Sequence, residues 1–403
     1  MSSQRTAVEN LGARGRSWGR IALVLGIAGL ALGLWLGSAR GDGFRRFEHA
    51  WLVSCLFFLS LSLGALFFVI IQHLVRAGWS VVVRRVAEIV AANTLVTALL
   101  FAPLVVQLLR GDSSLWPWAD ANTVHGNPLL EGKAGFLEPR FFALRCVLYF
   151  GIWILLGRWL LRRSTEQDTA QDAKPTLALE RRAAPAMVAY ALSVNFGAFD
   201  ILMTLEPTWA STIFGVCFFA GSVIGFFALS ILLLRFLQAR GFMRASVGVE
   251  HYHDLGKFLF AFVFFWGYVS FSQFMLIWYA DMPEETFWFR ERFHGTWANV
   301  SWVLLFGHFV LPFAALLSRH TKRALGVLAF LAVWMLCMHA VELFWLVMPT
   351  AEKDGALVSG MDAACFVAVG GIWFFALARL AGERSLVPVG DPRLPESLAF
   401  ENS

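Results

Sequence analysis

Ionisable side chains stand inside segments of this chain that are otherwise long apolar runs. His339 and Glu342 share one such run, His308 lies near the middle of another, and Asp200 lies in a third. Placing a charged group in hydrocarbon costs about 2.5–3.5 kcal/mol on insertion scales, so groups kept there are the first candidates for chemistry. Carboxyl and imidazole groups can exchange protons near neutral pH, and proton transfer is therefore the chemistry that these residues predict.

Helical spacing groups several of these side chains. His339 and Glu342 are three residues apart and share a helix face. Arg145 and Tyr149 lie one turn apart in the outer half of their segment, and Arg145 is the predicted partner of Asp200. Arg145, with Tyr149 and Tyr190, would orient Asp200 or tune it electrostatically. A purely structural buried pair is the alternative. Asp200 belongs to a seam of polar and small residues with heptad spacing, namely Tyr190, Ser193, Gly197, Asp200 and Thr204.

A second polar stripe follows the segment that begins near residue 255. At 100° per residue, Asp254, Lys257, Tyr268 and Ser272 fall on one face. We interpret His253, Asp254 and Lys257 as an inner mouth that holds protons, and Tyr268 and Ser272 as relay hydroxyls further out. The alternative is a snorkelling lysine beside hydrogen-bonded tyrosines.

Two further features near the helices admit more than one interpretation. Glu88, with Asn93, could form an inner proton entrance, although topology and capping explain the same residues. His308 and His339 could in principle ligate a b-type haem, but they are the one such pair and lie at different depths, which disfavours haem. We predict no metal site, and the bound cofactor is left open.

The elements that must position these residues are transmembrane helices. A spanning helix needs about 20 mostly apolar residues. The chain has 403 residues, is 58% hydrophobic and contains 39 Phe and 17 Trp, more apolar surface than a soluble domain could cover. We predict an all-α polytopic membrane protein whose ten spans are 19–38, 47–75, 87–109, 140–161, 184–204, 208–236, 255–280, 296–318, 323–348 and 359–381.

Charge fixes the predicted topology. The net charge of +5 comes from basic residues in short runs between the apolar segments, which is typical of membrane topology and not of nucleic-acid binding. The runs alternate so that the termini, 1–18 and 382–403, are both predicted to be cytoplasmic in a bacterial inner (plasma) membrane. The longest outer loop, 110–139, is either an ordered cap or partner surface or an irregular loop. The inner loop 163–183 is polar and predicted to be flexible.

The domain organisation is a single ten-helix membrane domain, 19–381. Segments 2–5 (47–204) and 6–9 (208–348) have the same alternating orientation, which is compatible with a duplicated four-helix unit. Five cysteines stand singly inside apolar segments. With no C-x-x-C or C-x-x-C-H motif, the chain lacks the ligands of ordinary iron–sulfur, zinc-ribbon and c-type haem sites.

With these residues in view, the chain resembles the smaller quinone-type membrane subunit of bacterial alternative complex III, a quinol:cytochrome c oxidoreductase. The matching stretches are 253-HDLGKFLFAFVFFWGYVSFSQFMLIWYADMPEE-285 and 78-GWSVVVRR-85. That subunit is in turn similar to the membrane anchors of polysulfide and nitrite reductases.

The resemblance implies two four-helix bundles, helices 2–5 and 6–9, with helices 1 and 10 at the periphery. It implies partners that carry multihaem cytochrome c and iron–sulfur clusters, a larger homologous membrane subunit and the quinol pool; a terminal oxidase stays open as a further partner. It also implies that the chain has no redox centre of its own. Whether a quinone, such as menaquinone, binds in this subunit is left open.

The predicted function is thus a quinone environment and a proton pathway coupled to quinol oxidation. Asp200, His339 and Glu342 are the predicted proton carriers of the outer half. Two alternatives remain: a purely structural scaffold subunit, in which each buried charge is a packing pair, and a proton-coupled secondary transporter. A transporter would have broken helices at matching positions of two halves, and Pro103 and Pro312 do not match.

Overall fold

The computed structural model describes residues 9–170, 172–353 and 355–401, and within these ranges it is all-helical with no β-strand. Ten helices are long and apolar enough to cross a membrane, which confirms the predicted fold class. We number them α1 (Gly12–Arg40), α2 (Arg45–Leu74), α3 (Val81–Leu109), α4 (Pro139–Ala170), α5 (Lys174–Leu205), α6 (Phe214–Ala239), α7 (Val249–Ala280), α8 (Gly295–Leu317), α9 (Leu325–Thr350) and α10 (Gly360–Gly382).

The helices pack as two rings of four. In one ring α2 contacts α3 and α5, and α4 closes the circle between them; in the other α6 contacts α7 and α9, and α8 closes it. The rings meet where α2 crosses α6 at Gly64, where an added Cβ would lie 2.3 Å from the carbonyl oxygen of Ser222. Only a glycine allows the two backbones to approach this closely.

α1 and α10 form a separate pair at the periphery. The buried residues of α1 are all glycines, from Gly15 to Gly37, and all but Gly37 lie against α10. A Cβ at Gly29 would lie 2.8 Å from the carbonyl oxygen of Ala364, so the two helices touch through their backbones. Close packing of small residues is the main source of helix association in a membrane, where apolar burial provides little driving force.

Two helices depart from regular α geometry before their last turn. α3 is interrupted at Asn93, whose side-chain amide donates to the carbonyl oxygen of Trp373 at 2.9 Å. α8 is π-helical over Leu304–Val310. Pro312 has no N–H to donate to the carbonyl of His308 four residues earlier, so the regular α ladder fails there, and the wider turn follows.

The inner loop differs from the prediction. α4 continues to Ala170 and α5 begins at Lys174, so most described residues of 163–183 extend the two helices and do not form a loop. Arg162 donates to Glu166 at i+4 (2.7 Å), one of the side-chain pairs that stabilise a helix beyond its apolar part.

The outer loop 110–139 is an ordered cap, one of the two alternatives the sequence allowed. It contains a short helix, Pro128–Lys133, and the indoles of Trp116 and Trp118 are buried against Phe142 of α4. These contacts fix the outer end of α4, on which Arg145 lies.

The segment after α10 packs against the inner ends of the helices. Asp391 forms an ion pair with Arg84, and Ser397 accepts from the backbone N–H of Val82 at 3.2 Å and donates to the carbonyl of Trp79. A five-residue helix, Leu394–Leu398, ends this docked segment. The predicted cytoplasmic tail is therefore part of the packed structure.

Candidate functional site

A buried cluster of one carboxylate and two imidazoles lies inside the second ring. Glu342 Oε2 is 2.9 Å from His339 Nδ1 and 3.5 Å from His308 Nε2, and Glu342 Oε1 accepts from the indole N–H of Trp266. Both histidines are 0% exposed and Glu342 is 4% exposed. The structure thus adds His308, which was predicted from a different segment, to His339 and Glu342, which were predicted to share a helix face.

Local backbone geometry places His308 in this cluster. His308 lies in the π-helical turn of α8, and such single turns are frequent at functional sites. Its ring lies 4.0 Å from that of Trp266, and neither ring nitrogen has a hydrogen-bond partner among the described residues. The imidazole is therefore free to accept or donate a proton toward Glu342 without breaking another hydrogen bond.

Residues of the central helices make room for the cluster. A Cβ at Gly221 of α6 would lie 2.5 Å from Glu342 Oε2, and one at Gly225 would lie 2.9 Å from His339 Cδ2. Ser60 of α2 lies 2.7 Å from His339 Nε2 through its hydroxyl. Both ring nitrogens of His339 are thereby engaged, so the ring is held between the two bundles.

Glu342 also lines a cavity of about 400 Å³ between α6, α7, α8 and α9. The wall is mainly aromatic, and its polar side chains include Glu342, Ser270, Gln273 and Ser301. Phe271 and Trp302 line the cavity and are 62% and 52% exposed on the outer surface of the helices. A flat apolar ring with polar substituents could therefore enter from the membrane and reach a carboxylate.

A buried arginine contacts three of the residues that line this cavity, Trp288, Trp345 and Leu346. The Arg292 guanidinium lies 3.6 Å from the ring centroid of Trp288 and donates to the carbonyls of Trp288, Trp345 and Leu346. Burial lowers the pKa of Arg292 to about 9, so the group keeps its charge at neutral pH. Burial, and then repulsion by Glu291, raises the pKa of nearby Glu206.

The predicted pair of Arg145 and Asp200 is present in the first ring. Arg145 Nε and Nη2 donate to the two oxygens of Asp200 at 2.7 and 3.0 Å, and the Tyr149 hydroxyl donates at 2.7 Å. The guanidinium also lies 3.9 Å from the ring centroid of Phe136 and donates to its carbonyl. Because both carboxylate oxygens are engaged, these contacts favour the structural pair that the sequence left open.

Two other predicted residues are committed to packing contacts. The Tyr190 hydroxyl donates to the carbonyl of Leu63 at 3.0 Å, so it faces α2 and does not orient Asp200. Glu88 accepts from Arg84 at 3.2 Å and from Arg85 at 3.1 Å. Both arginines belong to α3, and they in turn contact the C-terminal segment, Arg84 at Asp391 and Arg85 at the carbonyl of Ser385. These contacts favour topology and capping over a proton entrance.

The stripe on α7 requires a correction. Tyr268 is 60% exposed and Tyr279 is 87% exposed, whereas Leu259, Val263 and Trp266 on another face are buried. These residues do share one helix face, as the spacing predicts, but that face is turned away from the other helices. Apolar residues that pack equally well occur all round the segment, so another face could be buried instead. An interior path through Tyr268 and Ser272, which is half-buried, is therefore not formed.

The inner end of α7 keeps its predicted cluster. Lys257 Nζ lies 2.7 Å from Asp254 Oδ1, and His253 Nδ1 lies 3.9 Å from the same oxygen. Lys257 is about half exposed, as expected for a lysine that reaches toward the membrane surface.

Sequence reasoning missed three contributors to the site: Trp266, Ser60 and Arg292. Trp266 and Ser60 stand in continuous apolar runs, where no period separates one face from another. Arg292 offered a weak signal, since it is one of two arginines, with Arg290, in a predicted outer loop that also carries four acidic residues.

The cluster has the ligands that a divalent cation could use. One atom each of His308, His339 and Glu342 lie within 4.8 Å of one another, and two imidazole nitrogens with a carboxylate oxygen form a common zinc ligand set. The sequence predicted no metal here. The same three groups equally form an acid–base cluster without an ion, in which His339 is hydrogen-bonded to Glu342 and His308 lies beside it.

This chain is an all-α protein with the helix lengths and compositions of a multi-pass membrane protein. Its sequence matches no protein-family model and no curated protein. The resemblance of the α7 motif to a respiratory subunit therefore remains an expectation.

Proposed function

We propose that this chain is an integral membrane subunit of a quinol:cytochrome c oxidoreductase of the alternative complex III type. Within that complex it contributes a quinone environment and a proton pathway. The observation that supports the proposal most is the aromatic cavity of about 400 Å³ with the Glu342 carboxylate in its wall. Membrane-soluble redox carriers with aromatic rings and two oxygen substituents match this chemistry.

Different residues of the cavity bind the ring and the oxygens of a quinol. Aromatic side chains such as Trp302 and Phe274 offer faces to an apolar ring, and Ser270 offers a hydroxyl for a ring oxygen. Glu342 is the base for a quinol hydroxyl, because its Oε1 already accepts from Trp266 and holds the carboxylate in place. A quinol oxidised there loses two protons and two electrons, and the electrons pass to haem or iron–sulfur centres of partner subunits.

The proton then has acceptors within contact distance. Glu342 passes it to His339 or His308, whose ring nitrogens lie 2.9 and 3.5 Å away. Ser60 contacts the far nitrogen of His339 and extends the hydrogen-bonded chain to α2. The carboxylate can then accept the second proton, so one site handles both.

Purification in a mild detergent tests the partners. We expect the chain to co-purify with a multihaem cytochrome c, a large iron–sulfur subunit and a larger homologous membrane protein, seen by haem absorption and mass spectrometry. The isolated complex should reduce cytochrome c with an added quinol. A solitary, haem-free protein recovered under the same conditions would contradict the proposal.

A cavity-filling variant tests the quinone site. Ser270→Trp places an indole in the cavity, and we expect it to weaken binding of a radiolabelled short-chain quinone by about tenfold or more. Leu276→Trp is the matched control, because Leu276 is 61% exposed on the same helix and does not line the cavity. Equal binding by the two variants would exclude this cavity as the quinone site.

A scaffold subunit of the same complex is the second candidate. It is favoured by the ion pairs of Asp200 and Glu88, because both carboxylate oxygens of each residue accept from arginines. The transporter alternative has less support. The interruptions occur in α3 at Asn93 and in α8, and these are not equivalent under a shift of four helices.

A further inference from the structure

A second cavity lies at the other end of the helices, between α1, α3, α6 and α10. It measures about 310 Å³, and its lining is apolar apart from one indole. Its lining residues include Val90, Leu233, Phe236 and Phe374. Of these, Phe236 and Phe374 are 42% and 37% exposed. The cavity therefore opens sideways toward the hydrocarbon and has the chemistry of an acyl-chain site.

Two arginines stand at the inner mouth of this cavity. Arg240 lies 5.9 Å from the ring centroid of Trp18 and 5.3 Å from that of Phe236, and both rings line the cavity. Arg14 donates to the carbonyl of Arg240 at 3.3 Å and lies 5.7 Å from the Phe242 ring. Both arginines are exposed, and both belong to the end of the bundle whose basic residues predict the cytoplasmic side.

We propose that this cavity binds an anionic phospholipid of the inner leaflet. One acyl chain fills the cavity, and the phosphate contacts Arg14 and Arg240, whose guanidinium groups suit phosphate oxygens. Basic pockets between transmembrane helices on the cytoplasmic side are typical sites for such headgroups. A quinone ring is a poor occupant, because no carboxyl, hydroxyl or amide side chain of the described residues lines the cavity to bind its oxygens.

The site also joins α1 to the two rings, with which α1 otherwise has few contacts. α1 contacts α10 extensively, but among the described residues it reaches α3 and α6 mainly around this cavity. A bound acyl chain would contact all four helices. Its loss should therefore loosen the contacts of α1 with α3 and α6.

Lipid retention and thermal stability test the proposal. The complex is purified in mild detergent, depleted of lipid, and returned to cardiolipin, phosphatidylglycerol or phosphatidylcholine. We expect the two anionic lipids to raise the Tm and to be retained in native mass spectrometry, and phosphatidylcholine to do neither. In the double variant Arg14→Gln/Arg240→Gln, retention of anionic lipid should fall about tenfold or more.

Two matched controls separate the lipid site from general charge and packing effects. Arg16→Gln/Arg20→Gln removes the same charge from the opposite face of α1 and should retain lipid. Ala22→Phe fills the cavity and should lose lipid although both arginines are present. Ile21→Phe makes a similar change at the exposed neighbouring position and should retain lipid. Unchanged retention in both Arg14→Gln/Arg240→Gln and Ala22→Phe overturns the proposal. So does a partner polypeptide that crosslinks at Trp18 in place of lipid.

Discussion

Glu342→Gln is expected to lower quinol:cytochrome c activity by about 100-fold or more, which is the usual contribution of a general base. Glutamine has the size of glutamate, so the space left by Gly221 stays filled and Trp266 keeps an acceptor. An amide cannot take a proton from a quinol hydroxyl. Because no buried charge is created, the complex should still assemble, and the measurement is steady-state turnover on the intact complex.

The matched control is Glu250→Gln, the same chemical change at the inner end of α7, where Glu250 pairs with Arg323. It should keep nearly full turnover. His308→Gln provides a second variant, since it preserves Glu342 but removes one proton acceptor, and it should change the pH dependence of turnover. Normal activity with an unchanged pH profile in both site variants would exclude the cluster from proton transfer.

Ten spans could be predicted because length and apolar composition alone decide whether a helix can cross a membrane. Their bounds could be predicted only in part: α8 lies at Gly295–Leu317, close to the predicted 296–318, but other ends differ by several residues. α3 begins at Val81, six residues before the predicted start, because Arg84 and Arg85 are buried by ion pairs with Glu88, Asp168 and Asp391. The sequence shows only two adjacent basic residues, which at a membrane surface would normally end a span.

The site could be predicted in part for a related reason. An isolated ionisable residue in an apolar run is a strong signal, and Asp200, His308, His339 and Glu342 were found by it. The sequence does not show which face of a helix is buried when apolar residues occur all round the helix, as on α7. The partner of Glu342 is the indole of Trp266, and nothing in the local sequence distinguishes that tryptophan from those that line the membrane surface.

The π-helical turn of α8 could be predicted only in part. Pro312 was visible in the sequence and predicts that the carbonyl of His308 loses its usual donor. It does not predict whether the helix kinks, breaks or widens. That outcome depends on the neighbours, since Trp334 of α9 donates to the carbonyl of Gly307 at 2.7 Å and stabilises the widened turn. Tertiary contact therefore decides where the His308 ring points.

The pair of Arg145 and Asp200 gives the second large prediction, a double-mutant cycle. Arg145→Met leaves Asp200 buried without its cation, and Asp200→Asn leaves Arg145 without its anion. Each single change should destabilise the protein by about 3–5 kcal/mol, because an uncompensated buried charge remains. The double variant Arg145→Met/Asp200→Asn should recover most of that loss, since no charge is left and the introduced asparagine can still accept from Tyr149. Thermal unfolding in detergent measures all four corners of the cycle.

Turnover of the double variant then decides between the two roles that the sequence allowed for Asp200. Both of its oxygens are bound by Arg145 and Tyr149, whereas Glu342 has an oxygen directed at two histidines and lines a cavity. A proton acceptor must be reached by its donor and be free to change partners, and only Glu342 meets both conditions. We therefore expect the double variant to be stable and to keep nearly full activity. A double variant that is stable and assembled but inactive would instead make Asp200 a proton carrier.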